Sequence, residues 1–208
     1  MARKSVLGIL LVAGVVAGCS AEPEAPAGPP VVQPGAPGDE PRVVASAAPD
    51  RGGASRVEVD YLRNMIAHHE QAVEMTALTP ERAQNAKLRS LSDRIGGAQG
   101  PEIGMMRGWL SSHGAEHAGH AEHGGHDHAT MPGMATPEQL ARLAASRGAD
   151  YDRLFLQLMI AHHEGALTMA TQLLTTGRDE QVHEMAQDTL VTQQDEITTM
   201  RALQQEIG

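Results

Sequence analysis

Apolar side chains recur at every third or fourth position from residue 56 to the end of the chain, which is the period of amphipathic helices. The first predicted helix has one apolar stripe through His69 and an adjacent stripe through His68. The second begins at Thr79, a capping residue followed by proline, and the glycine-rich stretch 96–104 predicts a kink or break within it. A short connection makes the two helices antiparallel neighbours.

This helical hairpin occurs twice in the sequence. The six residues Met65–Glu70 recur unchanged as Met159–Glu164, 94 positions later, and the same offset relates Gln99–Met106 to Gln193–Met200. A fixed offset through both helices indicates one supersecondary unit used twice. We therefore predict an all-α fold, a four-helix bundle made of two repeated antiparallel helical hairpins with pseudo-two-fold symmetry.

The first 18 residues have the features of an export signal. Arg3 and Lys4 precede an apolar run, Val6–Ala17, that is too short for an ordinary membrane span. The run ends at Cys19 in a sequence that resembles a bacterial lipobox, in which the cysteine becomes the lipidated first residue. A plain secretory signal is the alternative, but Cys19 is the only cysteine of the chain, which favours lipidation. We expect an exported, membrane-anchored bacterial lipoprotein that faces the periplasm or the cell exterior.

The rest of the chain divides by composition. Residues 19–55 are rich in proline, alanine and glycine and have no apolar period, which predicts a disordered tether. The folded domain is expected over residues 56–208, with repeat one at 56–112, a histidine-rich loop at 113–135 and repeat two at 136–208. The net charge of −10 argues against nucleic acid as a partner and favours cations.

The loop between the repeats contains closely spaced histidines separated by small residues. Because this segment cannot build a core, its imidazoles are candidate ligands for Cu(II), Zn²⁺ or Ni²⁺. These loop histidines are His113, His117, His120, His123, His126 and His128.

The repeated motif carries a second set of candidate ligands, because a double histidine flanked by methionines suits a soft or borderline metal ion. The candidate ligands of the bundle are Met65, His68, His69, Met75, Glu102, Met106, Met159, His162, His163, Met169, Glu196 and Met200. We expect His69 to face its mate His163 across the pseudo-dyad, and His68 to lie in a row with Met65 and Met75. For any single methionine, flexible core filler is the competing interpretation.

Glu102 and Glu196 lie on apolar stripes, where a carboxylate needs a histidine, an arginine or a metal as its partner. Known enzyme signatures are missing: the motif lacks the second histidine of a zinc-protease helix, and only Glu180-x-x-His183 has the spacing of a dinuclear iron bundle. We therefore predict that the protein is not an enzyme.

The motifs Met-Ile-x-His-His-x-x-Ala-x-x-Met and Gln-x-x-Glu-Ile-x-x-Met, each present twice, resemble the family called domain of unknown function 305. The resemblance covers nearly the whole chain from Arg56 onward. It implies a ferritin-like helical bundle that is usually exported, and some members of the family are implicated in copper binding and tolerance, with methionine and histidine as ligands. The family pattern does not require the histidine-rich loop.

The first functional hypothesis is a lipid-anchored copper protein that holds Cu(I) in the His/Met sites of the bundle for buffering, sequestration or handover. A zinc or nickel scavenger that uses the loop, with the bundle as its scaffold, is the second. The third is an interaction protein whose histidine pairs are structural or sense pH. Metal ions are the expected partners, and a metal-transfer protein or a homo-oligomer is left open.

Overall fold

A computed structural model of the chain describes residues 28–33, 42–46, 55–115 and 131–207. The chain divides into two compact units, residues 1–51 and residues 52–208. Within the described part, no helix is long and apolar enough to cross a membrane. The predicted signal and Cys19 lie outside the described residues.

The first unit contains two short antiparallel strands, β1 (Gly28–Gln33) and β2 (Arg42–Ser46). Val31 pairs with Val44, and the register is irregular between Gly28 and Val31, where two prolines supply no N–H group. The composition of residues 19–55 predicts no regular structure here, and the structure differs. Valine has a high strand propensity, and a short valine-rich pair is too brief to show up as a period in the sequence.

The second unit is helical. Its helices are α1 (Arg56–Ala77), α2 (Thr79–Arg82), α3 (Ala86–Ser112), α4 (Pro137–Ala145), α5 (Gly148–Thr176) and α6 (Glu180–Ile207). Helix α1 packs against α3, α5 packs against α6, and the two hairpins meet through α1 and α5. The four long helices thus form the predicted bundle of two repeated hairpins, and the all-α fold class is confirmed for this unit.

The second helix of repeat one begins later than predicted. Thr79 lies in the single turn α2, and α3 starts at Ala86 with Asn85 as its N-cap. The hydroxyl group of Thr79 is hydrogen-bonded to the Tyr151 hydroxyl at 2.8 Å and accepts from Ser92 Oγ at 2.8 Å. Thr79 therefore ties two helices to the connection instead of capping one of them.

The sequence predicts a kink or a break in the second helix, and there is no break, because α3 runs without interruption from residue 86 to residue 112 through Pro101. Gly96 has a packing role: a Cβ atom there would lie 2.8 Å from Thr76 Oγ1. The small residue lets α3 approach α1 closely, and the buried face of α3 then holds the helix together despite its poor helix formers.

Each repeat supplies a carboxylate that caps the N-terminus of a helix in the other repeat. Glu58, at the beginning of α1, is buried and accepts the N–H groups of Arg178 and Asp179, just before α6. Asp152, at the matching position of α5, accepts the N–H groups of residues 84 and 85, just before α3, at 3.2 and 3.0 Å. Each carboxylate satisfies N–H groups that a helix start leaves without a partner. The pseudo-two-fold symmetry therefore includes reciprocal contacts between the copies.

The core consists of two clusters at opposite ends of the bundle. The first core cluster includes Leu88, Leu91, Ile95, Phe155, Leu156, Ile197 and Leu203. The second core cluster includes Leu62, Ile103, Trp109, Leu173, Val182 and Ala186. On each long helix the residues of one cluster precede those of the other, so a layer of the bundle lies between them.

Candidate metal centre

The layer between the two core clusters is polar, and it is built from the repeated motif. All four long helices contribute, each with one pair of polar residues that has a counterpart 94 positions away. These residues are His68 and His69 of α1, Gln99 and Glu102 of α3, His162 and His163 of α5, and Gln193 and Glu196 of α6. The four histidines are 0–1% exposed. Duplication has therefore brought both copies of the motif to one level of the bundle.

His68 and His162 meet at the centre of this layer. Their ring centroids are 3.6 Å apart, with 35° between the ring planes, and both residues are fully buried. The sequence pattern predicts that His69 and His163 are the pair that approaches across the pseudo-dyad, and this is wrong. Helices α1 and α5 meet along the stripe that contains His68 and His162, which the pattern places beside the methionines.

His69 and His163 instead face the second helix of their own hairpin. The Nε2 atom of His69 lies 2.8 Å from Glu102 Oε2, and that of His163 lies 2.8 Å from Glu196 Oε2. The predicted need of these two carboxylates for a polar partner is thus met by histidine. The carboxylate side chains are 30% and 13% exposed, so they link the buried rings to the bundle surface.

A backbone carbonyl orients His68. Its Nε2 atom donates a hydrogen bond to the carbonyl oxygen of Pro132 at 3.1 Å. Pro132 lies in the segment that follows the histidine-rich loop and precedes α4. The matching atom of His162 has no hydrogen-bond partner within residues 55–115 and 131–207. At this position the pseudo-symmetry is broken.

These contacts identify the donor nitrogen of three rings. A carbonyl or carboxylate oxygen accepts here, so Nε2 carries a proton in His68, His69 and His163. Their Nδ1 atoms, and that of His162, are buried without a hydrogen-bond partner among the described residues. A ring that donates one N–H to an oxygen and leaves the other nitrogen free has the arrangement of a metal-binding histidine.

Burial disfavours positive charge on the two central rings, His68 and His162. Burial lowers the pKa of His68 to about 3, although the hydrogen bond to Pro132 acts in the opposite direction. Burial also lowers the pKa of His162 well below its usual value, and the neighbouring His68 adds to the effect. Both rings are therefore neutral at physiological pH, which is the state in which imidazole binds metal ions.

The candidate methionines are buried on both sides of the layer. Met65, Met106 and Met169 belong to the second core cluster, and their repeat mates Met159, Met200 and Met75 belong to the first. The predicted row of Met65, His68 and Met75 is thus divided, since its two thioethers lie in different clusters. Each cluster contains two methionines from one repeat and one from the other.

The remaining candidate ligands lie outside the layer. His113 is exposed at the end of α3, where its ring stacks on Trp109 at 4.0 Å and its Nδ1 atom donates to the Trp109 carbonyl at 2.8 Å. The other five loop histidines lie outside the described residues. Within residues 55–115 and 131–207, no three His, Cys, Asp or Glu side chains converge on one point.

Two glutamines of the layer are absent from the predicted site. Gln99 and Gln193 are 2% and 3% exposed, and both amide oxygens lack a hydrogen-bond partner in the described part of the chain. A buried polar group without a partner is costly, so these amides mark the layer as a place with a polar function. The signal in the sequence is an amide on an apolar stripe at the same position of both copies.

Comparison with known proteins agrees with this geometry. The domain of unknown function DUF305 matches residues 58–204. The chain belongs to the DUF305 family. A DUF305 fragment from Deinococcus radiodurans is 32% identical with a TM-score of 0.67, over 74% of this chain and 99% of the other. A DUF305 protein of Streptomyces coelicolor, thought to be secreted, is 29% identical with a TM-score of 0.65, over 73% and 94% of the two chains.

A third similar structure is that of CopM, solved in Cu(I)-bound and Cu(II)-bound forms. It is 25% identical to this DUF305 chain with a TM-score of 0.58, over 72% of this chain and 96% of CopM. No curated protein shows significant sequence similarity to the chain. The predicted membership of the family is confirmed.

Proposed function

We propose that this chain is an exported copper-binding protein that holds Cu(I) at the buried histidine layer and serves to buffer, sequester or hand over the ion. The observation that carries the proposal is the set of four buried Nδ1 atoms without a hydrogen-bond partner among the described residues. Three of these rings are oriented through their other nitrogen by Glu102, Glu196 and the Pro132 carbonyl. The copper-bound forms of CopM, a member of the same fold, support the choice of metal.

The surroundings favour the singly charged ion. A buried layer that disfavours protonated imidazole also disfavours Cu(II) more than Cu(I), because the cost of burying an ion rises steeply with its charge. Imidazole and thioether ligands suit Cu(I), which accepts a low coordination number. The pair of His68 and His162, whose rings are in contact, is therefore the proposed core of the site.

The methionines extend this role. Three buried thioethers lie on each side of the layer, so a Cu(I) ion that leaves the histidines in either direction meets further soft ligands. A path of weak, similar ligands suits exchange of the ion with a partner better than permanent storage. No catalytic step is proposed.

Export and lipid anchoring at Cys19 complete the proposal, and they are supported by the sequence of the first 19 residues. An oxidising compartment outside the cytoplasm suits a copper site that uses no thiolate. Replacing Cys19 by serine should release the protein from the membrane fraction. A variant with a demonstrably cleaved signal that stays in the membrane fraction argues against lipidation.

A titration with Cu(I) tests the copper site itself. In the test variant, serine replaces the five loop histidines His117, His120, His123, His126 and His128, which preserves the length of the loop. We expect Cu(I) or Ag(I) binding to persist in this variant while most Zn²⁺ binding is lost. The absence of saturable Cu(I) and Ag(I) binding would contradict the copper proposal.

A second candidate function, zinc or nickel capture by the loop, is favoured by His113. Its Nδ1 atom donates to the Trp109 carbonyl, which leaves Nε2 as the nitrogen available to a metal on an exposed ring. Zn²⁺ binding that is lost in the five-serine variant and weakened by His113→Gln alone would support capture by the loop with His113 as one of the ligands. The third hypothesis, pH sensing, predicts assembly that depends on pH in metal-free protein.

A further inference from the structure

The five residues Met131–Ala135, called the strap below, lie directly on the central histidine pair. The Pro132 carbonyl oxygen accepts from His68, as described above. The next residue, Gly133, lies against the backbone of α5: a Cβ atom on it would be 3.0 Å from the Cα atom of His162 and 2.3 Å from the carbonyl oxygen of Ala161. The strap therefore lies against one histidine of each copy, His68 and His162.

This close contact is made by backbone on backbone, and it depends on two glycines. Gly133 has a φ of +78°, a conformation that other residues rarely adopt. Gly165 of α5 faces the strap, and a Cβ atom on it would be 1.9 Å from the Pro132 carbonyl oxygen. Any side chain at position 165 would displace the strap from its place.

The duplicated motif differs between the copies at the positions that hold the strap. From residue 65 to residue 72 and from residue 159 to residue 166, the copies are identical except at one position, where repeat one has Gln71 and repeat two has Gly165. The Gln71 side chain is hydrogen-bonded to both backbone groups of Ala135, donating to the carbonyl at 3.0 Å and accepting from the N–H at 2.7 Å. Gln71 of repeat one thus holds the strap by hydrogen bonds, and Gly165 of repeat two leaves room for its backbone.

We propose that the strap is a gate, latched by Gln71, through which metal exchanges with the His68–His162 pair. This inference rests on the proposed copper function. Both rings are fully buried, so an ion reaches them only when some part of the wall opens. The four long helices around the layer are held by apolar packing on both sides of it, so separating them costs much free energy. The strap is a short segment held by a few hydrogen bonds, and it opens at a much lower free energy.

The strap also carries suitable groups for a moving Cu(I) ion. Met131 and Met134 flank the proline–glycine pair, and both are half-buried. Met131 packs against the second core cluster, which contains three of the buried candidate methionines. When the strap lifts, it therefore exposes the histidine pair and moves thioethers that can bind the ion in passing.

The rate of copper loss tests the gate. Cu(I)-loaded full-length protein is mixed with bathocuproine disulfonate, and the colour of the copper–chelator complex is followed in time. We expect Gln71→Ala to speed the loss about tenfold, since two hydrogen bonds of the closed state are removed, with little change in equilibrium affinity. Gly165→Ala should act in the same direction, because the strap can no longer seat. Gln157→Ala, an exposed glutamine on α5, is the matched control and should leave the rate unchanged.

Amide hydrogen exchange provides a second measurement that needs no metal. In metal-free protein, Gln71→Ala should raise exchange at Met134 and Ala135 while the amides of α1 and α5 around the histidines keep their protection. Unchanged exchange in the strap, or a lowered copper affinity with an unchanged rate of loss, would overturn the gate. Failure of the wild-type protein to bind Cu(I) would instead overturn the proposed function.

Discussion

His69 and His163 have matching surroundings in the two copies, whereas His68 and His162 do not. The first two each donate to a glutamate of their own hairpin at the same distance, 2.8 Å. Of the second two, only His68 has a hydrogen-bond partner among the described residues, the Pro132 carbonyl. Duplication supplies each ligand twice, but a single strap can serve only one member of a pair that meets on the pseudo-dyad. In the proposed copper site, the symmetric pair is therefore suited to a supporting role and the asymmetric pair to exchange of the ion.

The largest effect should come from removing the central pair. We expect His68→Gln with His162→Gln to weaken Cu(I) binding by roughly 100-fold or more, because both proposed ligands are lost. A competition titration against a Cu(I) chelator measures the change, and His113→Gln, an exposed histidine, is the control. Unchanged affinity in the double variant would show that the central pair does not hold the metal.

The position of His68 also changes the expected stability of alanine variants. The sequence pattern alone places these two histidines near the edge of the apolar stripe. It therefore predicts that His68→Ala with His162→Ala leaves the melting temperature of the metal-free protein nearly unchanged. Both side chains are fully buried and their rings are in contact, so the structure predicts a cavity and a loss of roughly 1–3 kcal/mol. His69→Ala with His163→Ala, which strands two glutamates, should cost a similar amount, so melting of both double variants compares the two pairs directly.

Changes at the partners of His69 and His163 should have a smaller effect on metal binding, and the effect should appear in both copies. Glu102→Gln and Glu196→Gln each remove the charged acceptor that orients a histidine, which should lower Cu(I) affinity by about tenfold. We expect the larger loss for Glu196, because its side chain is 13% exposed against 30% for Glu102. Glu70→Gln, on the exposed ion pair with Arg107, is the control. A strong effect of only one of the two glutamates would contradict the symmetry of this pair.

The reciprocal helix-start contacts should contribute to stability but not to metal binding. Glu58→Gln and Asp152→Asn each weaken a carboxylate that accepts two backbone N–H groups in front of the other copy's helix. We expect each to lower the free energy of unfolding by about 1 kcal/mol, as for a helix cap. Denaturant unfolding measures the loss, and Cu(I) affinity of the folded variants should remain that of the wild type.

The smallest effect concerns pH. The pKa of His68 is lowered to about 3 in the folded chain, so between this value and the unfolded pKa near 6.5 the unfolded state binds more protons. The contribution of this histidine to the stability of the metal-free protein is fully present above the unfolded pKa. It falls as the pH falls, by roughly 0.7 kcal/mol between pH 7 and pH 6 for one such histidine. His68→Gln should reduce this slope, and an identical slope in the variant would show that other groups cause it.

The sequence alone determined much of this protein. The 94-residue offset and the helical period predicted two hairpins and their four-helix bundle, and the motifs identified the family and the histidines and glutamates of the central layer. These features are local, or they repeat, so they can be read without knowing how helices meet. The need of Glu102 and Glu196 for a polar partner could also be predicted, because a carboxylate on an apolar stripe requires one wherever the stripe packs.

Only the tertiary structure decided which histidines meet and what covers them. His68 and His69 are 100° apart on one helix, and both stripes are apolar enough to face the interior of the bundle. Only the packing of α1 against α5 therefore determines which of the two histidines meets its counterpart in the other repeat. The division of Met65 and Met75 between two clusters follows from the same choice, since residues in one row of a helix can contact opposite ends of a bundle. The contact of Pro132 with His68 joins positions 64 residues apart through a backbone carbonyl, which leaves no trace in residue type except the glycines that make room for it.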